Sequence, residues 1–98
     1  MSIPPPAPSF TVKQGQYLAY IYAYTIVMGR PPAEADVQRH FRVSPPTVHQ
    51  MLVGLTDAGL IARQPGVARS IELLVDPAAL PVLQPAPNQP IKIPVSRY

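Results

Sequence analysis

A chain of 98 residues is long enough for one small domain and too short for two. It has no cysteine, which excludes a disulfide framework and any thiolate metal site, and it opens without the basic and then apolar run of a secretory signal, so a reducing, cytoplasmic setting is expected. A net charge of +3 is compatible with a polyanionic partner without establishing one, and the most apolar stretch, residues 17–28, falls short of the roughly 20 residues that cross a bilayer.

The 15 prolines would argue for disorder if they were spread evenly, but most lie near the two ends. The expected layout is therefore a flexible or polyproline arm at 1–9, an ordered domain at 10–75 and a Pro-rich tail at 76–98. Thr11 is placed to cap a first helix, with Gln14 at the reciprocal capping-box position, and the helix should run to Met28 and stop at Gly29. Gln14, Tyr17, Leu18, Ile21, Thr25 and Met28 share the face expected to pack inward. The other side is apolar for a surface: Ala19, Tyr20, Tyr22, Ala23, Ile26 and Val27. Two readings stay open for it. Tyr20, Tyr22, Ile26 and Val27 are the interface to a second copy or another protein, or one of the chain's own ends folds over them.

After the loop Gly29-Arg30-Pro31-Pro32 a second helix is predicted over 33–41, with Val37 and Phe41 facing in and Glu34 and Asp36 in the first turn, where the helix dipole favours acids. The turn Arg42-Val43-Ser44 leads into the most sharply bounded element of the chain. Ser44 sits at an N-cap, Pro45 and Pro46 follow where missing N–H donors cost nothing, and Gly59 closes the helix after Ala58. Val48, Leu52 and Leu55, with Met51 beside them, form the buried stripe. Thr47, His49, Gln50 and Val53 lie opposite.

Leu60 and Ile61 then begin an extended run, residues 63–69 read as a hairpin loop, and residues 70–74 return with Ile71 and Leu73 on one face. Two strands cannot stand alone, so they must lean on the helices. The expected fold is mainly α with a small β-hairpin, a three-helix winged helix-turn-helix. A short helix with small, hydrogen-bonding side chains on its exposed side suits the major groove of duplex DNA. Ser44, Pro46, Thr47, His49 and Gln50 are its expected base-reading positions, with Gln50 able to make a two-point contact to adenine and His49 able to donate to guanine. Arg42, Arg63, Arg69 and Lys13 are the expected phosphate contacts, the wing pair beside the minor groove.

Residues 10–74 resemble the N-terminal DNA-binding domain of LexA-type repressors. The resemblance is carried by Phe10-Thr11 opening the first helix, the G-x-P-P of residues 29–32, an acid-bearing second helix and the R-x-S-P of residues 42–45, then by L-x-x-A-G-L-I at 55–61 and R-x-I-x-L at 69–73. It implies a regulator that inserts its third helix into the major groove through Ser44, Pro46, Thr47, His49 and Gln50. The family's usual asparagine is Pro46 here and its paired acids are His49 and Gln50, which implies a different preferred sequence. LexA-type repressors also cleave themselves through a serine-lysine dyad in a downstream domain that makes the dimer. Residues 76–98 are too short for one, so no self-cleavage is expected, and dimerisation would use the first helix or a tail strand at residues 91–95.

Nothing points to catalysis, a metal or another cofactor. His40 and His49 stand on different helices without a carboxylate pair at ligand spacing, Ser44 has no attendant base, and no Gly-rich phosphate loop follows a strand. The alternative to DNA binding is a winged helix used as a protein-interaction or assembly module, with the apolar first helix as its working face.

Overall fold

The computed structural model describes residues 9–85; all but the last residue of the expected arm at 1–9, and the expected tail strand at 91–95, lie outside them. Three helices come first, α1 (Val12–Met28), α2 (Glu34–Phe41) and α3 (Pro45–Asp57), followed by the antiparallel strands β1 (Ile61–Ala62) and β2 (Glu72–Leu73) and one 3-10 turn (Pro77–Ala79). This is a winged helix-turn-helix.

Local chemistry sets the helix ends. At α1 the Thr11 hydroxyl accepts from the Gln14 amide at 3.0 Å while the Gln14 side chain accepts from the Thr11 amide at 3.0 Å, a complete capping box. Gly29, at φ 73°, closes the helix with its N–H on the Thr25 carbonyl. Ala33 has no side-chain oxygen to cap α2, so only half of a box forms there: Asp36 Oδ2 accepts from the Ala33 amide at 2.9 Å. At α3, Ser44 caps the Thr47 amide and Pro45 and Pro46 fill the first turn; at the far end the Leu60 amide reaches back to the Leu55 carbonyl at 3.0 Å over Gly59.

The core is one cluster: Tyr17, Leu18 and Ile21 of α1, Val37 and Phe41 of α2, Val48, Leu52 and Leu55 of α3, then Leu60, Ile61, Ile71 and Val75 in and around the hairpin. Each fully buried aliphatic side chain contributes about 1.5–3 kcal/mol. Tyr17 stacks on Phe41 with ring centroids 3.9 Å apart, fixing α1 across α2. The hairpin is shorter than the sequence suggested, with Ile61 opposite Leu73 and Ala62 opposite Glu72. Its loop is closed instead by a side chain, since Ser70 Oγ accepts from the Gln64 amide at 2.9 Å and donates to the Gln64 carbonyl at 3.2 Å.

Packing continues past residue 75. Asp76 caps the 3-10 turn through the Ala78 amide, Leu80 joins the core margin, and the chain then lies along the start of α1. There Gln16 acts as a clamp: its Nε2 donates to the Val82 carbonyl at 3.0 Å and its Oε1 accepts from the Gln84 amide at 2.6 Å. Gly15 provides the seat, because a Cβ at this position would meet Phe10 Cε1 at 2.9 Å and Pro81 Cγ at 3.0 Å.

The outer side of α1 is therefore divided. Ala19 is buried, and Tyr20 faces inward rather than outward: its ring lies on His40 with centroids 4.2 Å apart and its hydroxyl donates to the Asp36 carbonyl at 3.3 Å. Tyr22 remains partly exposed, and Ile26 and Val27 are 65% and 79% exposed. Met28, expected to pack inward, is also exposed, because the last turn of α1 carries no core contact.

Candidate nucleic-acid interface

α3 commits one face to the core and leaves the other open. Val48, Leu52 and Leu55 are buried, so the helical repeat turns Pro46, His49, Gln50 and Val53 outward, all four of them exposed. Thr47 is half-buried and shares a 2.8 Å hydrogen bond with the Ser44 hydroxyl. The Ser44 oxygen also accepts from the Thr47 amide, so these two side chains build the helix start together while staying at its surface. Five expected base-reading positions thus cluster within the first two turns of α3 and its cap.

Beside that face runs a groove of about 670 Å³, walled by the first turn of α2, by His49, Val53 and Thr56 of α3, and by the wing residues 63–71. Gly66, at φ 75°, makes the turn of the wing, a backbone conformation that L side chains resist.

The expected phosphate-contact residues have unequal freedom. Arg42 is exposed and makes no ion pair among the described residues. It occupies the left-handed C-cap of α2, at φ 55° and ψ 48°, with its N–H on the Gln38 carbonyl at 2.8 Å. Lys13 is exposed on the first turn of α1. The wing arginines are already engaged. Arg63 Nη1 donates to Glu34 Oε1 at 2.6 Å, and its side chain is only 21% exposed. Arg69, also on the groove wall, is held more fully: Nη1 donates to the Tyr24 hydroxyl at 3.1 Å and the Pro31 carbonyl at 3.2 Å and pairs with Asp36 Oδ2 at 3.1 Å. Arg69, expected as a phosphate contact, ties the wing to α1, α2 and the loop between them.

Glu34 and Asp36 are the residues that sequence reasoning undervalued. Both sit in the first turn of α2, where the dipole alone accounts for them, but each also receives a wing arginine. The Arg63 hydrogen bond is the main cause holding the Glu34 carboxyl below its ordinary range, with His49 adding to it through Nδ1 at 3.5 Å. Asp36 is held low first by the Ala33 amide and then by the Arg69 charge. The Tyr24 hydrogen bond is the main cause keeping the Arg69 guanidinium firmly charged. The sequence shows two acids opening one helix and an arginine at each end of the wing loop, but nothing in it pairs them.

No family model matches the chain. It is 34% identical over 64 residues to the LexA repressor of Thermosipho melanesiensis, a match covering 65% of this chain and 32% of that protein. It is 31% identical over 72 residues to the LexA repressor of Thermosipho africanus, covering 74% of this chain and 36% of that one. The chain spans about a third of the length of these relatives. Helices, hairpin and site together define the winged helix-turn-helix class. Within that class, the chain is similar to part of these two LexA repressors. Among the described residues, no helix is long and apolar enough to cross a membrane.

Proposed function

We propose that this domain binds duplex DNA in a sequence-dependent way as part of a transcription regulator, with α3 in the major groove. The observation that carries the reading is the outward face of α3: polar or small side chains at 46, 49 and 50, exposed and unblocked by the core, with the exposed Arg42 two residues before the helix cap and in no ion pair among the described residues. His49 and Gln50 offer donors and acceptors to base edges, with Gln50 matched to adenine and His49 to guanine; Pro46 and Val53 supply apolar contact of the kind that meets a thymine methyl. Arg42 anchors the duplex by a phosphate, and Arg63 is the wing residue placed to do the same from the groove. The likeness to two proteins named LexA repressor supports the same reading.

Selection of bound sequences from a random duplex pool tests this reading. Enrichment of one motif, relaxed at one base pair when Gln50 becomes alanine, is the expected result; recovery of an unenriched pool contradicts it. A second reading rests on Ile26 and Val27, which stand exposed at the bare end of α1: the domain dimerises or docks a protein partner there. Equilibrium sedimentation of the wild type and of Ile26→Ser, Val27→Ser checks it, a monomer in both cases removing a self-association role.

A further inference from the structure

We propose that Glu34 serves as an internal substitute for a DNA phosphate, holding Arg63 and His49 until the duplex takes them and thereby limiting how tightly the domain binds. This rests on the DNA-binding reading above. Both partners converge on one oxygen, Glu34 Oε1, with Arg63 Nη1 at 2.6 Å and the exposed His49 ring at 3.5 Å. The carboxylate stands on the wall of the groove between α3 and the wing, at the point where a polyanion would approach. The helix dipole explains why an acid is favoured at the start of α2, but any acid in that turn satisfies it, and Asp36 already does. It does not explain why the wing cation lining the groove is matched there with a carboxylate.

The exchange is feasible on physical grounds. Glu34 is half exposed, and an ion pair in such a position is worth little against the water that competes for it. Duplex DNA presents one negative charge per about 1.7 Å of its axis, so it competes for Arg63 with many oxygens against one. When Arg63 and His49 turn to the duplex, Glu34 is left as an uncompensated anion beside the phosphates, and that repulsion opposes binding. Arg69 is different in kind. Its guanidinium has a carboxylate, a hydroxyl and a carbonyl around it, a set that a phosphate cannot replace without unfastening the wing.

The test is a set of four full-length chains, wild type, Glu34→Gln, Arg63→Ala and the double variant, titrated with a labelled random duplex from about 50 to 200 mM salt, where phosphate contacts show their salt dependence. Circular dichroism of each chain checks that the helices are intact. Glu34→Gln should bind roughly 3–10-fold more tightly at the low-salt end, and the plot of log affinity against log salt should steepen by up to about 0.9, the value of one phosphate contact. Arg63→Ala should cost little in the wild-type background and should erase the gain in the Glu34→Gln background. Equal or weaker binding by Glu34→Gln overturns the proposal and makes Glu34 a buttress; so does an Arg63→Ala loss of the same size in both backgrounds. A wild-type chain that binds no duplex at the low-salt end instead defeats the DNA-binding reading, and this inference falls with it.

Discussion

The two flanks of α3 carry the same residue type in opposite circumstances. At its N-terminal flank Arg42 stands exposed at the end of α2 with no acid against it among the described residues. At the wing flank each arginine meets an acid from α2, Arg63 on Glu34 and Arg69 on Asp36. A net charge of +3 conceals this difference, because charge counted along a sequence says nothing about which cations are still available to a partner. One flank is open for electrostatic contact, and the other is a fastening whose groove-side member can be exchanged.

The largest effect that bears on this contrast comes from the support beneath both flanks. Leu52 is completely buried under α3, and Leu52→Ala should cost about 2–5 kcal/mol in urea unfolding, releasing the turn and the wing together. Next is base discrimination at the open flank: Gln50→Ala should lose about 1–3 kcal/mol of preference at one base pair and leave binding to random duplex nearly unchanged. Equal loss on every sequence would count against its assigned role.

The arginines then separate the flanks directly. Arg42→Ala should weaken all duplexes alike, reduce the salt dependence by about 0.9 in slope and leave thermal stability nearly unchanged. Arg69→Met should do the reverse, lowering the melting temperature by several degrees while the salt slope stays as in the wild type, because it removes the guanidinium that holds Asp36, Tyr24 and Pro31 together. Arg42→Gly sharpens the point. It should lose the same phosphate contact as alanine yet be more stable than Arg42→Ala by about 1 kcal/mol, since only glycine takes a φ of 55° without steric cost.

The smallest effects are those of pH. Glu34 and Asp36 have folded pKa values below their unfolded ones, so the stability they add is complete above the ordinary carboxylate range and is lost as pH falls through and below it. His40 is also depressed, by burial; its ring is stacked on Tyr20 and its Nε2 is buried without a partner among the described residues. An unfolded chain therefore binds a proton at His40 before the folded one does, and stability should decline as pH drops below about 6.5, the unperturbed histidine value. Urea unfolding between neutral and mildly acid pH checks this, and His40→Phe should flatten the decline.

What could be read from the sequence divides along similar lines. The ends of α1 and α3 were legible because Thr11 with Gln14, Ser44 with Pro45, and the closing Gly29 and Gly59 act on neighbours only a few residues away. The buried faces followed from helical spacing at Leu18, Ile21, Val48, Leu52 and Leu55. The pairing of Arg63 with Glu34 and of Arg69 with Asp36 was not legible, since it joins residues about thirty positions apart and no periodicity links them. The same holds for the Gln16 clamp on Val82 and Gln84, which draws a proline-rich stretch read as tail onto α1. Tyr20 was misplaced because residues on the border of a helix face are settled by what the next helix presents, here His40. The expected base-reading positions come together at the start of α3, with Ser44, Pro46, His49 and Gln50 exposed and Thr47 half-buried.

The most direct test of the central claim is amide chemical-shift mapping of the full chain during titration with a selected duplex. The DNA-binding account expects the largest shifts in Ser44, Thr47, His49, Gln50 and Val53, with Arg42 and the wing loop following. Shifts confined to Tyr22, Ile26 and Val27, or none at all at low salt, would contradict it.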